Sequence, residues 1–265
     1  MVRVFLVLPD LSERKTRALD ALYELGYSIN VLVSYTILVS KPGMLNSLKA
    51  LRDGGVIEEV MLDSGAYHVY MRGASVSVHK YANFASTHAR LWDYVVAPDV
   101  PGDPLETIKR TREFSKIYHG DYVPVAQGCS VKEYLETARI LVELPGSTVI
   151  LGVGGLDSSR RRIGFISSLV RSLAETGHRK LHLFGVGARH LRGLAKRGLA
   201  RYIASIDTTA WLAEIVYRRR TIYGADGVVE ANIAAITGYL RRIQRAVNTT
   251  ISREDSAQAA EARIG

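Results

Sequence analysis

Three aspartates each come directly after a short apolar run of this sequence. Asp63 follows Leu62, Asp99 follows Ala97-Pro98, and Asp207 follows Ile206. Paired carboxylates can cleave a glycosidic bond, because one stabilises or traps the cationic sugar while the other moves a proton. Aspartate is also a favoured helix cap, so capping stays open for any one of the three alone. Their shared position after apolar runs favours one common site.

Other polar and flexible residues follow further apolar runs. Gln127-Gly128 can form a turn or present an amide to a ligand, and Gly152-x-Gly154-Gly155 and Gly185-x-Gly187 are either tight turns or phosphate-binding loops. The seven histidines show no metal-ligand spacing, and we assign them to the surface or to packing. Cys129 is the one cysteine, which excludes an internal disulfide and a multi-cysteine zinc site.

Eight short apolar segments that could position these residues recur along the chain. They are mostly continuous rather than alternating in hydropathy, which is typical of parallel strands buried on both faces. The predicted strands are Val4–Leu8, Val31–Tyr35, Glu59–Leu62, Tyr94–Ala97, Tyr122–Ala126, Val149–Gly152, Leu181–Gly185 and Tyr202–Ile206.

Helical patterns separate these strands and complete eight strand–helix units. The predicted helices are Glu13–Leu25, Asn46–Arg52, Val78–Arg90, Pro104–His119, Val131–Glu143, Ser159–Thr176, His190–Gly198 and Ala210–Arg219. Eight units in this length predict an α/β fold, a closed (β/α)8 TIM barrel, with a doubly wound open sheet as the alternative. In a barrel, residues that follow strands meet at one rim. We predict one domain over residues 1–247, ending in a basic helix Val228–Val247, and a flexible tail over 248–265.

Positive charge is concentrated in one part of the chain. The net charge is +9, but the window Arg160–Arg220 holds fourteen Lys and Arg against three acids, a net +11, which leaves −2 elsewhere. A confined basic excess is expected of a protein that binds a polyanion, most simply nucleic acid, although arginine-rich helix faces can also serve only solvation.

The composition excludes several classes of protein. Hydrophobic residues make up 47% of the chain, which argues against disorder, and apolar runs such as Val2–Leu8 are too short for a bilayer, which takes about 20 residues. We therefore expect no membrane partner. The first residues, from Met1 into an apolar strand, lack the features of a secretory signal, so the expected compartment is the cytoplasm.

In order and spacing, five motifs resemble those of the tRNA-guanine transglycosylase family. The resemblance runs from Leu62 to Asp207 and rests on Asp63-Ser64-Gly65-Ala66-Tyr67, Gln127-Gly128, Gly154-Gly155-Leu156, Phe184-Gly185-Val186-Gly187 and Ile206-Asp207. These enzymes exchange a guanine in a nucleic acid for a 7-deazaguanine base, with no cofactor in the transfer.

The resemblance implies a role for each matching residue. Asp207 would attack C1′ of the target nucleoside and form a covalent glycosyl-enzyme, and Asp63 would act as the general acid and base. The purine edge would be bound by Asp99 and Gln127, assisted by Ser64 and the backbone of Gly154, Gly155 and Leu156. Tyr67 and Phe184 would sandwich the flat base. From the charge pattern, the nucleic-acid backbone would contact Arg160, Arg161, Arg162, Arg218, Arg219 and Arg220.

The sequence also departs from the family. Val100 follows Asp99 where the family has an acid, Ala66 replaces a glycine, and Thr208-Thr209 continues from Asp207 in place of a Pro-Thr-Arg-like segment. The tRNA enzymes have a cysteine-rich zinc element beyond the nucleophile, and no cysteine follows Cys129 here, so no metal site is predicted. Because that element helps to hold tRNA and the dimer, DNA becomes slightly favoured over tRNA, and a homodimer is left open.

Two further classes of function are compatible with parts of the sequence. A catalytically silent nucleic-acid-binding paralogue or partner subunit would explain the charge but needs neither Asp63 nor Asp207. A barrel enzyme that acts on a small phosphorylated substrate would use the two glycine-rich loops but leaves the basic window unexplained.

Overall fold

Eight parallel strands form the centre of the protein. The computed structural model describes residues 2–67, 75–156, 162–213 and 227–261. Five of the residues predicted to bind the nucleic-acid backbone lie outside these ranges: Arg160, Arg161, Arg218, Arg219 and Arg220. The strands are β1 (Arg3–Val7), β2 (Asn30–Ser34), β3 (Glu59–Asp63), β4 (Tyr94–Val95), β5 (Val125–Ala126), β6 (Leu151–Val153), β7 (Leu181–Leu183) and β8 (Ile203–Thr208). All eight predicted strands are confirmed, with bounds shifted by a few residues.

The sheet closes into a barrel. Its strand order is β4-β3-β2-β1-β8-β7-β6-β5, and every pairing is parallel. The two ends of this order meet through a parallel bridge between Val96 and Val123, where the Ala97 amide donates to the Val123 carbonyl at 2.9 Å. Closure confirms the predicted (β/α)8 barrel over the open sheet, and it brings the carboxyl ends of all eight strands to one rim.

Helices follow the strands on the outside of the barrel. They are α1 (Glu13–Glu24), α2 (Tyr35–Ser40), α3 (Pro42–Asp53), α4 (Val78–Thr87), α5 (Pro104–Ile117), α6 (Val131–Leu141), α7 (Ile163–Glu175), α8 (Ala188–Ala195) and α9 (Val228–Glu261). Local sequence explains several starts: Asp103 caps α5 ahead of Pro104, and Ser130 with Glu133 forms a capping box at α6.

Two helices differ most from the sequence-based prediction, and most of the predicted helix Ala210–Arg219 lies outside the described residues. The sequence analysis did not predict α2, because its segment Thr36-Ile37-Leu38-Val39 is rich in branched apolar residues that favour strands. The C-terminal helix continues to Glu261 instead of ending at Val247. Its last part lacks a regular apolar stripe, but its Ala, Glu, Gln and Arg residues are good helix formers.

The core has two layers. Phe5, Leu32, Met61, Val96 and Val125 fill the inside of the barrel, so the barrel is a packed core rather than a channel. A larger apolar layer lies between the strands and the surrounding helices. Helix α9 packs on α1 and α8 beside β1 and β8, and it therefore reaches the same side of the barrel as Asp207. Within the described ranges, no helix is both long enough and apolar enough to cross a bilayer.

Candidate active site

A cavity of about 810 Å³ opens at the carboxyl ends of the strands. Its floor is apolar, formed by Val7 and Leu32 above the packed interior of the barrel. Its walls carry Asp63, Asp99 and Asp207, so closure of the barrel brings the three predicted carboxylates together. This volume is typical of sites for small ligands and cofactors.

Most of the predicted site residues line this cavity, and two do not. The lining residues are Asp63, Tyr67, Asp99, Gln127, Gly154, Gly155, Phe184 and Asp207. Ser64 is fully buried, and its hydroxyl accepts a hydrogen bond from the Ala66 amide instead. Leu156 is likewise buried in the outer apolar layer. Successive side chains of an extended chain point to opposite sides. Ser64 follows the inward-facing Asp63, so its side chain points away from the cavity.

Local backbone bonds hold Asp63 at the end of β3. The Gly65 amide donates to Asp63 Oδ2 at 2.8 Å, and Ser34 Oγ at the end of β2 lies 3.4 Å from the same oxygen. Gly65 has φ +77°, and a Cβ there would lie 2.1 Å from Thr36 Oγ1, so this turn requires glycine. The Gly65 bond is local turn chemistry, and it leaves the carboxylate on the wall of the cavity.

Gln127 fixes the carboxyl group of Asp99 across the cavity. Gln127 is 1% exposed, and its Nε2 donates to Asp99 Oδ2 at 2.5 Å while its Oε1 accepts from the Gly102 amide at 3.1 Å. Burial and the negative charge of Asp63 raise the pKa of Asp99 to about 7, against the lowering effect of the Gln127 hydrogen bond. Asp99 therefore exists in both protonation states near neutral pH and can either donate or accept a hydrogen bond.

Position 154 requires glycine because a side chain there would not fit. A Cβ on Gly154 would lie 2.1 Å from Gln127 Nε2 and 3.2 Å from Asp99 Oδ2. The Gly154 carbonyl accepts a hydrogen bond from Tyr134 Oη at 2.7 Å, which holds this loop in place. Glycine at position 154 therefore lets the side-chain amide of Gln127 come close. Neither the turn nor the phosphate-loop interpretation included this role.

Asp207 is held by β7 rather than by the helix that follows it. Its Oδ1 accepts a hydrogen bond from the Gly185 amide at 2.9 Å, and it is 8% exposed. The Ala210 amide donates to Thr208 Oγ1 at 3.0 Å, so Thr208 provides the side-chain oxygen at the start of the next helix. The capping interpretation of Asp207 is therefore not what the structure shows.

His182 lies directly behind Asp207. It is fully buried, its Nδ1 is 2.7 Å from Ser205 Oγ, and its Nε2 is 3.5 Å from Asp207 Oδ1. The assignment of this histidine to packing is correct for its location, but sequence reasoning missed its place next to the carboxylate. The strand pattern contained this information, because His182 and Asp207 lie on adjacent strands at positions whose side chains point to the same side of the sheet.

Two aromatic rings flank the cavity. Tyr67 is 45% exposed at its mouth, and Phe184 is half-buried with its ring 4.3 Å from that of His182. Gly152 makes room for Phe184, because a Cβ there would lie 2.9 Å from Phe184 Cε2. The two faces are suited to a planar ligand.

The cavity also contains residues that the sequence analysis did not select. They come from β2, from the start of α8, from the end of β8 and from the C-terminal helix: Ser34, Arg189, His190, Thr208, Thr209, Tyr239 and Arg242.

Arg162 is exposed at the start of α7, and the other described basic residues of the charged window are exposed on and around α7 and α8. Among the described residues, no three His, Cys, Asp or Glu side chains are arranged to hold a metal ion.

Comparisons with known proteins identify the fold. No protein-family model matches this sequence, and the curated proteins contain no match either. Solved structures do match, and one is a protein from Coccidioides immitis described as a "putative fructose-1,6-biphosphate aldolase". It is 14% identical, with a TM-score of 0.59, over 94% of this chain and 90% of that one. At this identity the likeness shows a shared barrel fold and nothing about activity.

Asp99 is expected to titrate near pH 7, and its pKa should fall in Asp63→Asn, because that change removes the charge that opposes ionisation. Carboxyl-carbon NMR of the folded protein measures this directly, and Asp121→Asn, on the exposed surface, is the control. A pKa near the ordinary 3.8 in the native protein would contradict the description of this site.

The same shift predicts how stability depends on pH. Asp99 holds its proton more tightly when folded than when unfolded, where its pKa is 3.8, so its contribution to stability is complete below pH 4 and is lost as pH rises to about 7. Denaturation of the wild type and of Asp99→Asn at several pH values should show that the variant lacks this decline. Parallel pH profiles would contradict the prediction.

Gly154→Ala should raise the pKa of Asp99 above its wild-type value, because the new methyl group displaces the Gln127 amide that stabilises the carboxylate. Gly164→Ala is the matched control, since a Cβ at Gly164 meets nothing within 4 Å. NMR titration of both variants makes the comparison, and an unchanged pKa in Gly154→Ala would show that Gln127 does not depend on this glycine.

Proposed function

We propose that the protein replaces a guanine in a nucleic acid by a 7-deazaguanine base, through a covalent bond between Asp207 and the sugar. The observation that carries this proposal is the convergence of Asp63, Asp99 and Asp207 with Gln127 on one cavity. These residues belong to the motifs that resemble the tRNA-guanine transglycosylases, and the chemistry of base exchange requires groups of these types.

The Asp99–Gln127 pair suits recognition of a purine edge. Guanine presents an N–H pair that a carboxylate accepts and a carbonyl that an amide or an undissociated carboxyl group can donate to. With a pKa of about 7, Asp99 can fill either role, and the nearby backbone of Gly154 and Gly155 adds further polar groups. Tyr67 and Phe184 would hold the two faces of a base taken out of its stack.

Asp207 is suited to attack the sugar carbon. One of its oxygens, Oδ1, accepts a hydrogen bond from the Gly185 amide and faces His182, which fixes the carboxylate. The other oxygen, Oδ2, is the proposed nucleophile. In the proposed step Asp63 begins in its protonated form. Oδ2 bonds to C1′, the C1′–N9 bond breaks, and its electron pair leaves with the guanine, which takes the proton of Asp63.

The second half of the reaction returns the enzyme to its starting state. Asp63, now a carboxylate, removes the ring proton of the incoming 7-deazaguanine, whose nitrogen attacks C1′ and releases Asp207. Two inversions at C1′ retain the anomeric configuration. No cofactor takes part in this sequence of bonds.

The polymer is proposed to be DNA in preference to tRNA. The positive charge of the window Arg160–Arg220 supports a nucleic acid partner, and the described part of that window is basic and exposed on α7 and α8. No cysteine follows Cys129 in this sequence, so these residues supply none of the thiolates of the zinc element in the tRNA enzymes. A free 7-deazaguanine base is the second substrate.

A second candidate is an enzyme that acts on a small phosphorylated substrate. It is favoured by the glycine-rich loops after β6 and β7 and by the fold likeness to the protein from Coccidioides immitis. Aldol chemistry through a Schiff base needs a lysine amine, and the described lining of the cavity has no lysine. The base-exchange proposal accounts for more of the residues that are present.

The test of the covalent step is an adduct that survives denaturing electrophoresis. Guanine-containing duplex DNA or tRNA is incubated with the protein while no incoming base is supplied, so that the glycosyl-enzyme accumulates. The wild type should shift to a slower band, and Asp207→Asn should give none, because the neutral amide neither attacks nor stabilises the cationic sugar. Asp63→Asn should turn over slowly but still allow some trapping.

Asp103→Ala is the matched control, since Asp103 does cap a helix. It should lower the free energy of unfolding by about 1 kcal/mol and leave adduct formation intact. An Asp207→Asn protein that still forms the adduct would contradict the assignment of the nucleophile.

A further inference from the structure

We propose that the start of α8 and the C-terminal helix α9 form a subsite for a phosphate group, next to Asp207 in the same cavity. The subsite combines the backbone of α8 with the side chains of Tyr239 and Arg242. It adds Tyr239 and Arg242 to the glycine-rich loop after β7 that the second candidate function uses, and it does not require that base exchange be correct.

The first element of the subsite is the N-terminus of α8. Gly187 occupies the N-cap position, where it has no side chain to cap the helix, and the first turn contains no acidic residue. Gly187, Ala188, Arg189 and His190 all line the cavity. The His190 amide already donates to the Gly187 carbonyl at 3.0 Å, so the Ala188 and Arg189 amides and the helix dipole are what this end offers to an anion.

The second element is the hydroxyl group of Tyr239. Tyr239 lies on α9, is 2% exposed and lines the cavity, yet its hydroxyl has no hydrogen-bond partner among the described residues. The Thr208 hydroxyl and the Ala188 amide lie close enough to lower its pKa, but neither makes a hydrogen bond of good geometry to it. Burial raises the pKa of Tyr239, with a further contribution from the charge of Asp207, so the hydroxyl keeps its proton and can donate it.

A buried hydroxyl without a partner is costly in a folded protein and calls for an explanation. Here the Tyr239 O–H, the Thr208 hydroxyl and the Ala188 N–H are three donors close to one another, and Thr208 Oγ1 already accepts a bond from the Ala210 amide. An oxygen with several lone pairs and a negative charge, as in a phosphate, would satisfy such a group of donors.

Two arginines supply the charge. Arg242 lies one turn after Tyr239 with its guanidinium 5.6 Å from the centre of that ring, and both Arg242 and Arg189 line the cavity. Burial and the charge of Arg189 lower the pKa of His190, which is therefore neutral at pH 7 and contributes a hydrogen bond rather than a charge. Asp207 is the acid on this side, and it limits how close a phosphate can approach.

The ligand chemistry is that of a phosphate ester attached to a sugar. A sugar placed with its reacting carbon at Asp207 would direct a phosphate toward α8 and α9. This phosphate could come from a nucleic-acid strand or from a small sugar phosphate, and the subsite recognises what the two share.

The experiment is calorimetric titration of the full-length protein with inorganic phosphate. Wild type should bind it, and Tyr239→Phe and Arg242→Gln should each weaken binding by about tenfold, since each removes a hydrogen bond or charge to an anion. Arg241→Gln is the matched control, because Arg241 is exposed on the same helix and does not line the cavity. It should leave binding unchanged.

Tyr239→Phe also separates this role from a structural one. Because the hydroxyl makes no hydrogen bond to the residues that the structure describes, its removal should leave the melting temperature unchanged or raise it. A fall in melting temperature, no phosphate binding by the wild type, or equal weakening in Arg241→Gln would each overturn the proposal.

Two pairs of ligands then identify the source of the phosphate. Deoxyguanosine 5′-monophosphate is compared with deoxyguanosine, and ribose 5-phosphate with ribose. The phosphate should increase affinity in at least one pair, and Tyr239→Phe should abolish that increase. No increase in either pair would contradict the subsite, whereas failure to trap an adduct on Asp207 would contradict base exchange and leave these measurements intact.

Discussion

The crowding of negative charge at one rim of a closed barrel governs the rest of this structure. Parallel strands must point the same way, so residues that follow β3, β4 and β8 meet around one cavity whatever their separation in the chain. Burial, together with the negative charge of Asp63, raises the pKa of Asp99 to about 7. A carboxyl group with a pKa near 7 can act as hydrogen-bond donor or as acceptor.

Backbone amides and a single buried glutamine hold the charged groups apart. The Gly65 amide holds Asp63, Gln127 holds Asp99, and the Gly185 amide holds Asp207. The Gly65 amide belongs to the turn that follows Asp63, whereas Gln127 and Gly185 come from neighbouring segments that the barrel fixes. Preorganised donors of this kind stabilise charge in a reaction without first having to move.

The sequence predicted the barrel and most of the site because both depend on local patterns. Continuous apolar runs identified all eight strands, and a residue directly after such a run must lie at the rim, as Asp63, Asp99, Gln127 and Asp207 do. The failures have long-range causes. Tyr239 and Arg242 reach the cavity only because α9 folds back over α8, and no local pattern encodes that packing.

Other failures reflect the direction of side chains. Ser64 belongs to a motif whose neighbours line the cavity, but its side chain is buried in the protein instead. The loop of Gly154 was expected to be a tight turn or a phosphate-binding loop, and the structure shows that the side-chain amide of Gln127, twenty-seven residues earlier in the chain, lies against Gly154. Sequence spacing gives the rim position of a residue and not the atoms that surround it.

The central claim is that the carboxylates of this cavity exchange a base in a nucleic acid. The measurement that tests it most directly is the transfer of radiolabelled guanine into polymer, with duplex DNA and tRNA in parallel reactions and Asp207→Asn protein as the blank. We predict that label enters polymer with the wild type alone, and enters DNA more readily than tRNA. Label in neither polymer, with a folded wild-type protein that binds both, would contradict the account.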